Sequence, residues 1–228
     1  MKQLTAILVL ALVLVFPGAA TIQAATTGDF RSHQTGNWSN TTTWEYYDSG
    51  WVTPAPSAPA GTGTITIQSG HTVTVDVAVN ISGTLVNSGT ITPVSTLTIA
   101  SGGKYQHNFT TTAGTIPTAT WSAGSTCEIV GYTGNTKPNG LGQAFYNFTW
   151  NTPAMTNAAG FGLNAALTTI NGDFTIVATG TGGPLQAVGA ASSSAYTLNI
   201  GGKLIVQGGT FTLAGASYSN YTLNIGGD

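Results

Sequence analysis

Charged residues are scarce in this chain, making up 5% of its 228 residues, whereas a typical soluble domain has about 25%. Lys2 is one of the five basic residues, so four remain in the rest of the chain against seven acidic ones. Binding to nucleic acid or to an anionic membrane surface needs a cluster of basic side chains. The composition therefore excludes both kinds of partner.

Cysteine is nearly absent as well. Cys127 is the only one, so no disulfide can form within the chain. Its neighbours in residues 126–130 alternate in polarity, which predicts a strand with the thiol turned inward. A reactive thiol needs nearby positive charge, but the nearest charged neighbour is Glu128. We therefore expect a structural thiol.

The sequence also lacks the common motifs of catalytic and metal sites. It contains no H-E-x-x-H, no G-x-S-x-G and no P-loop. Asp76 and Glu128 are the candidate carboxylate pair for a glycosidase, and His33, His71 and His107 are the candidate metal ligands. The three histidines have unrelated sequence contexts. We predict no catalytic residues, no metal, no cofactor and no enzymatic activity.

The first residues have the pattern of an export signal. Lys2 precedes the apolar run 6–16, Pro17 and Gly18 end that run, and small residues lead to Ala24. This pattern predicts a secretory signal peptide over residues 1–24. An N-terminal membrane anchor is the alternative, but the run is short for a bilayer. We expect an extracellular or bacterial outer-surface protein with no membrane span after cleavage.

The rest of the chain is rich in apolar residues, threonine and glycine, and its apolar positions recur with period two. Residues 64–67 and 72–77 alternate threonine with isoleucine or valine, and 83–86, 89–92 and 96–99 continue the pattern. Period two is typical of strands, with aliphatic side chains on one face and threonines on the other. The chain therefore belongs to the all-β class.

An internal repeat indicates how the strands are arranged. Residues 196–202, Tyr-Thr-Leu-Asn-Ile-Gly-Gly, recur without change at 221–227, an offset of 25. A looser copy aligns residues 167–176 with the stretch that ends at Val206, an offset of 30. Short strands that recur at such intervals are typical of solenoids.

We predict a right-handed parallel β-helix, or β-solenoid, with an aromatic N-terminal cap. Equivalent residues of successive coils then stack, so Tyr196 lies beside Tyr221, and Asn199 and Asn224 form an amide ladder. A β-sandwich is the alternative; it explains the alternation but not the joint recurrence of strands and turns.

Three regions follow from this reading: the signal peptide over residues 1–24, a cap region with a Pro-rich boundary over 25–60, and solenoid repeats over 61–228. Asp228 comes directly after the second Gly-Gly, which predicts that the solenoid is truncated. The cap region concentrates the aromatic residues. Trp38, Trp44 and Trp51 are its candidate carbohydrate-binding residues. Packing over the first coil is the alternative role for them.

Several short segments carry a resemblance to a known group of proteins. They are residues 28–32 (Gly-Asp-Phe-Arg-Ser), 36–39 (Gly-Asn-Trp-Ser), 43–45 (Thr-Trp-Glu), 65–75, 114–121 and 145–150. With them the chain resembles the N-terminal region of large secreted proteins of Bacteroidetes-type bacteria, which often end in a type IX secretion sorting domain. The resemblance implies a long surface protein and carries no catalytic residues.

Together these observations predict a non-catalytic structural or adhesin-like scaffold module of a secreted bacterial surface protein. Two alternatives stay open: a carbohydrate-binding module that uses the N-terminal aromatic residues, and a polysaccharide-degrading β-helix enzyme. The expected partners are extracellular polysaccharide or other surface proteins.

Overall fold

The computed structural model describes residues 24–134, 136–189, 195–213 and 221–227. The predicted signal peptide, apart from Ala24, and the terminal Asp228 lie outside the described residues. Strands and turns dominate, with one short 3-10 helix at Thr41–Thr43. Within these ranges no helix has the length and apolar character that a membrane crossing requires.

The strands are short and follow one another along the whole described chain. In chain order they are β1 (Phe30–Ser32), β2 (Gly36–Asn37), β3 (Trp44–Tyr47), β4 (Trp51–Val52), β5 (Thr64–Ile67), β6 (Thr72–Val75), β7 (Val79–Ile81), β8 (Thr84–Asn87), β9 (Thr90–Pro93), β10 (Leu97–Ile99), β11 (Lys104–Asn108), β12 (Thr120–Trp121), β13 (Thr126–Val130), β14 (Ala144–Phe145), β15 (Asn147–Asn151), β16 (Phe161–Gly162), β17 (Thr169–Ile170), β18 (Phe174–Ala178), β19 (Leu185–Gln186), β20 (Tyr196–Ile200), β21 (Leu204–Val206), β22 (Phe211–Thr212) and β23 (Tyr221–Ile225).

The strands stack into a parallel β-solenoid of about seven turns. Its longest sheet has the order β21-β18-β15-β13-β11-β8-β5-β1-β3-β4 and is called the long sheet below. From β1 to β21 its neighbours pair in parallel. Other sheets, such as β7-β10-β12 and β14-β17-β20-β23, form the remaining faces. The predicted solenoid is confirmed, and the β-sandwich alternative is wrong.

Coil length grows along the chain while the long sheet keeps its register. Thr64 lies opposite Thr84, and Thr84 opposite Lys104, so these coils take 20 residues each. Phe148 lies opposite Phe174 and Phe174 opposite Leu204, so the later coils take 26 and 30. The loops absorb the difference, as the variable offsets of the sequence repeat predicted.

The repeated segment stacks on itself as predicted. Tyr196 lies opposite Tyr221 and Asn199 opposite Asn224 in the parallel pair β20–β23. The Asn224 Nδ2 atom donates to the Asn199 Oδ1 atom at 2.7 Å, forming the amide ladder. A hydrogen-bonded ladder of this kind fixes the register, because a shift by one residue would turn every apolar side chain outward.

Alternation along the strands places the core inside the coils. Ile65 and Leu85, opposite each other in the long sheet, are fully buried, as are Phe148 and Phe174 two to three coils further on. Thr64 and Thr66, between them in sequence, point outward and are half-buried. One continuous apolar cluster runs from Phe30 to Ile200, and burial of this apolar surface is the main force that holds the coils together.

Close stacking of the turns requires glycine at the coil corners. A Cβ atom added at Gly83 would lie 2.1 Å from the carbonyl oxygen of Gly63, one coil away. Gly103 is equally close to the carbonyl oxygen of Ile81. Any larger residue at these corners would push adjacent coils apart, which explains the Gly-rich turns between the strands.

The first coil begins within the predicted cap region. β1 pairs in parallel with β5, and β2 pairs in parallel with β6. The solenoid therefore starts at Phe30, not at residue 61 as the sequence suggested. Residues 44–52 are the true addition: β3 and β4 extend the long sheet past β1 by antiparallel pairing.

Candidate recognition surface

The structure separates the three tryptophans proposed as a sugar-binding platform. Trp38 and Trp44 are 1% and 0% exposed and belong to the continuous core. Their rings pack edge to face, with centroids 4.9 Å apart. The platform prediction is therefore wrong for these two residues, because no ring face is left for a ligand; packing against the first coil is what they do.

Hydrogen bonds fix both buried indoles. The Trp38 Nε1 atom donates to the carbonyl oxygen of Pro59 at 3.0 Å, and the Trp44 Nε1 atom donates to the carbonyl oxygen of Trp38 at 2.8 Å. The first of these bonds ties the Pro-rich boundary to the cap. Each buried N–H has its acceptor, as burial of an indole requires.

Trp51 alone of the three stays at the surface. It lies opposite Tyr47 in the β3–β4 hairpin, and the two rings meet edge to face with centroids 5.2 Å apart. The Arg31 guanidinium carbon lies 4.2 Å from the centre of the Trp51 ring. One face of the indole is therefore already covered by a cation.

An acidic side chain holds that arginine in place. Glu45 lies directly opposite Arg31 in the β1–β3 pair, and the Arg31 Nε atom donates to its Oε2 atom. The His33 Nδ1 atom is 3.5 Å from the other carboxylate oxygen. Together with Tyr47 and Trp51, these residues form what we call the hairpin surface: Arg31, His33, Glu45, Tyr47 and Trp51.

A shallow cleft adjoins the hairpin surface. It has a volume of about 340 Å³, opens to solvent and is lined by Ala25, Asp29, Phe30, Trp51, Thr64 and Thr66. Asp29 is its one carboxylate, but the two oxygens accept from the backbone N–H groups of Thr64 and Thr26, each at 2.8 Å. The carboxylate therefore joins the first coil to the second and has little capacity left for a ligand.

The two carboxylates considered for a glycosidase do not meet. Asp76 follows β6, and Glu128 lies in β13 of the long sheet, three coils later. Three coils correspond to about 14 Å along the stack, whereas glycosidase carboxylates lie about 5 to 9.5 Å apart. The arrangement does not form that pair.

Each of these carboxylates has a structural partner instead. Asp76 accepts from the Ser39 hydroxyl and from the Ser39 backbone N–H, and these bonds lower the pKa of the Asp76 carboxyl. Burial raises the pKa of Glu128, but hydrogen bonds from Gln106 and Lys104 outweigh it and hold the pKa below its ordinary value. Both groups are held ionised, which suits an acceptor between coils and not a general acid.

The three histidines are also kept apart. The His71 Nδ1 atom lies 2.9 Å from the Ser32 hydroxyl, while His33 is on the hairpin surface and His107 is fully buried. Among the residues that the structure describes, no three His, Cys, Asp or Glu side chains are grouped to hold a metal ion.

A buried polar network inside the coils is the main feature that sequence reasoning missed. The Asn87 Nδ2 atom donates to the Tyr105 hydroxyl at 3.0 Å, and that hydroxyl lies 3.1 Å from the His107 Nδ1 atom. The His107 Nε2 atom is 2.8 Å from the carbonyl oxygen of Ala113 and 3.1 Å from the Tyr132 hydroxyl. All four side chains are fully buried.

Burial sets the protonation state of this network. Desolvation lowers the pKa of His107 to about 4 and raises the pKa of Tyr105 well above its ordinary value. The imidazole and the phenol are therefore both neutral near pH 7. His107 and Phe109 also stack with ring centroids 4.3 Å apart. Nothing in the network reaches the surface as a reactive group, so its role is to join three successive coils.

Cys127 behaves as the sequence predicted. Its side chain is fully buried in β13, and burial raises the pKa of the thiol well above its ordinary value. Since the thiolate is the reactive form, this thiol is unreactive at neutral pH.

Comparison with protein-family models, with curated proteins and with solved structures finds no match for this chain. Its function must therefore be inferred from its own coils and surfaces.

Proposed function

We propose that the chain is a non-catalytic structural or adhesin-like scaffold module of a secreted bacterial surface protein. The observation that carries this proposal is the uninterrupted apolar core, which runs from Phe30 to Ile200 through successive parallel coils. A core filled along its length suits a stiff spacer. The stacked coils would hold a binding element, here or elsewhere in a longer protein, away from the cell.

The use of the carboxylates supports the same proposal. Asp29 accepts from the first N–H group of the next strand in the long sheet, and Asp173 accepts from the N–H group of Lys203 at 2.8 Å. Glu128 bridges Lys104, Gln106 and Asn151 on three neighbouring strands. A chain with few carboxylates that uses them to join coils has few left for catalysis.

One experiment separates this proposal from a polysaccharide-degrading enzyme. Incubation with a panel of polysaccharides is expected to release no reducing ends and no unsaturated products. Product release that is lost in Asp76→Asn or Glu128→Gln would contradict the proposal. A loss of folding in these variants, checked by far-UV circular dichroism, is the control that such a comparison needs.

The surface location can be tested on the producing cells. Mild proteolysis of intact cells should release fragments of this chain, and deletion of residues 1–24 should abolish that release. Retention of the full chain inside protease-treated intact cells would contradict a surface role.

A carbohydrate-binding module is the second candidate, favoured by one observation. Trp51 and Tyr47 form a half-buried aromatic pair at the surface beside a cleft, and sugar rings bind to such faces. Arg31 already occupies one indole face, so a sugar would have to use the opposite face. This is why we rank it second.

A glycan array on the wild type, Trp51→Ala and Trp51→Phe tests this candidate. Binding that is lost in Trp51→Ala and kept in Trp51→Phe would support it, because phenylalanine keeps an aromatic face. Equal binding, or none, in all three proteins would rule out this surface.

A further inference from the structure

The end of the stack away from the tryptophans is apolar and uncovered. In the part of the chain that the structure describes, β21, β22 and β23 are each the last strand of a sheet. Ile225 of β23 is 46% exposed, whereas Ile200, directly opposite it one coil earlier, is 2% exposed. Val206 of β21 is similarly open, at 48%.

The neighbouring strand shows what fits this edge. β20 and β23 have the same sequence and pair in parallel along all five residues. Inward-facing Leu198 is fully buried beneath Leu223. The N–H groups of Gly226 and Gly227 continue the pairing by donating to the carbonyl oxygens of Ile200 and Gly202, each at 2.8 Å.

We propose that β23 is a docking edge for a further strand of the same repeat, Tyr-Thr-Leu-Asn-Ile-Gly-Gly, contributed by a separate chain and added in parallel and in register. The incoming leucine and isoleucine would cover Leu223 and Ile225, as those residues cover β20. The incoming asparagine would extend the ladder already formed by Asn199 and Asn224. Strand addition of this kind draws affinity from the backbone and specificity from alternate side chains.

This docking is one-ended and independent of charge. At the opposite end of the stack Trp38 and Trp44 are buried and the β3–β4 hairpin extends the long sheet. Residues 221–227 carry no charged side chain. Binding at this edge should therefore change little with ionic strength. The inference rests on coil geometry alone and does not depend on the proposed surface role.

A second whole copy fits the edge less well than an isolated repeat strand. Two copies that meet through the same end are related by a two-fold axis. When their cores face each other, that axis reverses the strand direction, so the parallel asparagine ladder could not continue.

The test uses a fluorescent peptide of the repeat sequence with a soluble lysine tail, titrated with the full chain and followed by fluorescence anisotropy. We expect saturable binding to the wild type, no binding of a scrambled peptide, and little effect of salt. Ile225→Lys should weaken binding by about tenfold or more, because it removes one buried aliphatic contact. Val52→Lys is the matched control: Val52 is 48% exposed on the opposite edge, and binding should be unchanged.

Register is tested separately by disulfide trapping. Thr222→Cys should cross-link to a peptide whose threonine is replaced by cysteine, and more slowly to one with cysteine in the place of asparagine. The buried Cys127 should not compete. Equal binding of the scrambled peptide, equal binding to Ile225→Lys with an unchanged circular dichroism spectrum, or cross-linking without register preference would each overturn the proposal. So would concentration-dependent dimerisation through this end without any peptide binding.

Discussion

Replacement of Trp44 by alanine should destabilise the fold severely without touching a ligand site. The Trp44 side chain is fully buried, and its indole packs edge to face on Trp38. Removal of a buried tryptophan costs about 3 to 5 kcal/mol through lost apolar contact and the cavity left behind. The carbonyl oxygen of Trp38 would also lose the N–H donor that now lies 2.8 Å away.

This loss is large relative to the whole stability of an ordinary domain, which is about 5 to 15 kcal/mol. With a urea dependence of about 3 kcal/mol per molar, a loss of about 4 kcal/mol moves the unfolding midpoint down by more than 1 M. Urea titration followed by far-UV circular dichroism measures this shift. Since β1 and β3 lie next to each other at the start of the stack, hydrogen exchange should show the first coil opening first.

Trp51→Ala is the matched control. Trp51 is half-buried and contacts Tyr47 and Arg31 at the surface, so its removal should cost about 1 to 2 kcal/mol. The reasoning is refuted if Trp44→Ala unfolds at the same urea concentration as the wild type, or if it loses glycan binding while remaining fully stable.

Two further predictions concern polar groups between coils. The stability of the wild type should fall by up to about 3 kcal/mol as the pH drops from 6.5 to 4, because the unfolded chain protonates His107 near pH 6.5 whereas the folded chain keeps it neutral down to a pKa of about 4. His107→Gln should lose this part of the pH dependence, and urea titrations at several pH values will compare the two slopes; parallel slopes would contradict the buried neutral imidazole. Gln143→Ala should cost about 2 kcal/mol, because the Gln143 Oε1 atom accepts from the Ala119 N–H and from the Trp121 Nε1 atom at 3.0 and 3.1 Å. Thermal unfolding will measure that loss, and an unchanged melting temperature would show that water replaces the amide.

The sequence predicted the stacking of the strands well, because stacking leaves a direct mark on it. The repeat of residues 196–202 at 221–227 became the parallel pair β20–β23, with Asn199 and Asn224 in the expected ladder. Strands that alternate threonine with an aliphatic residue, such as Thr64–Ile67, bury the aliphatic residues as predicted. Identical residues stack only when coils are parallel and in register, so this feature needed no structure.

The buried polar network could not be predicted in the same way. Asn87 and His107 occupy inward positions in the long sheet, where alternation predicts aliphatic side chains. Their partners Tyr105 and Tyr132 come from other parts of the chain, and only the register brings the four together. A histidine between polar neighbours has the same local sequence whether it faces water or the core.

The tryptophans illustrate a second limit. An aromatic side chain serves equally well as a core residue and as a platform for sugars, so composition left both roles open for Trp38, Trp44 and Trp51. Which of them is buried depends on how β1, β3 and β4 close the end of the stack. The antiparallel turn-back of β3 and β4, with its bounds at Trp44–Tyr47 and Trp51–Val52, decides this.

The stacked-coil scaffold is tested most directly by distances between spin labels along one outward row of the long sheet. Thr66, Thr149, Thr175 and Ile205 lie in this row, the last three being four, five and six coils from Thr66. Labels at Thr66→Cys and each of the other three positions, replaced in turn by cysteine, should be about 19, 24 and 29 Å apart, since each coil adds about 4.8 Å. Pulsed electron spin resonance will measure them, after allowance for a constant label length. Equal steps of about 5 Å are the predicted result; distances that do not rise by one coil spacing from pair to pair would contradict the parallel stack.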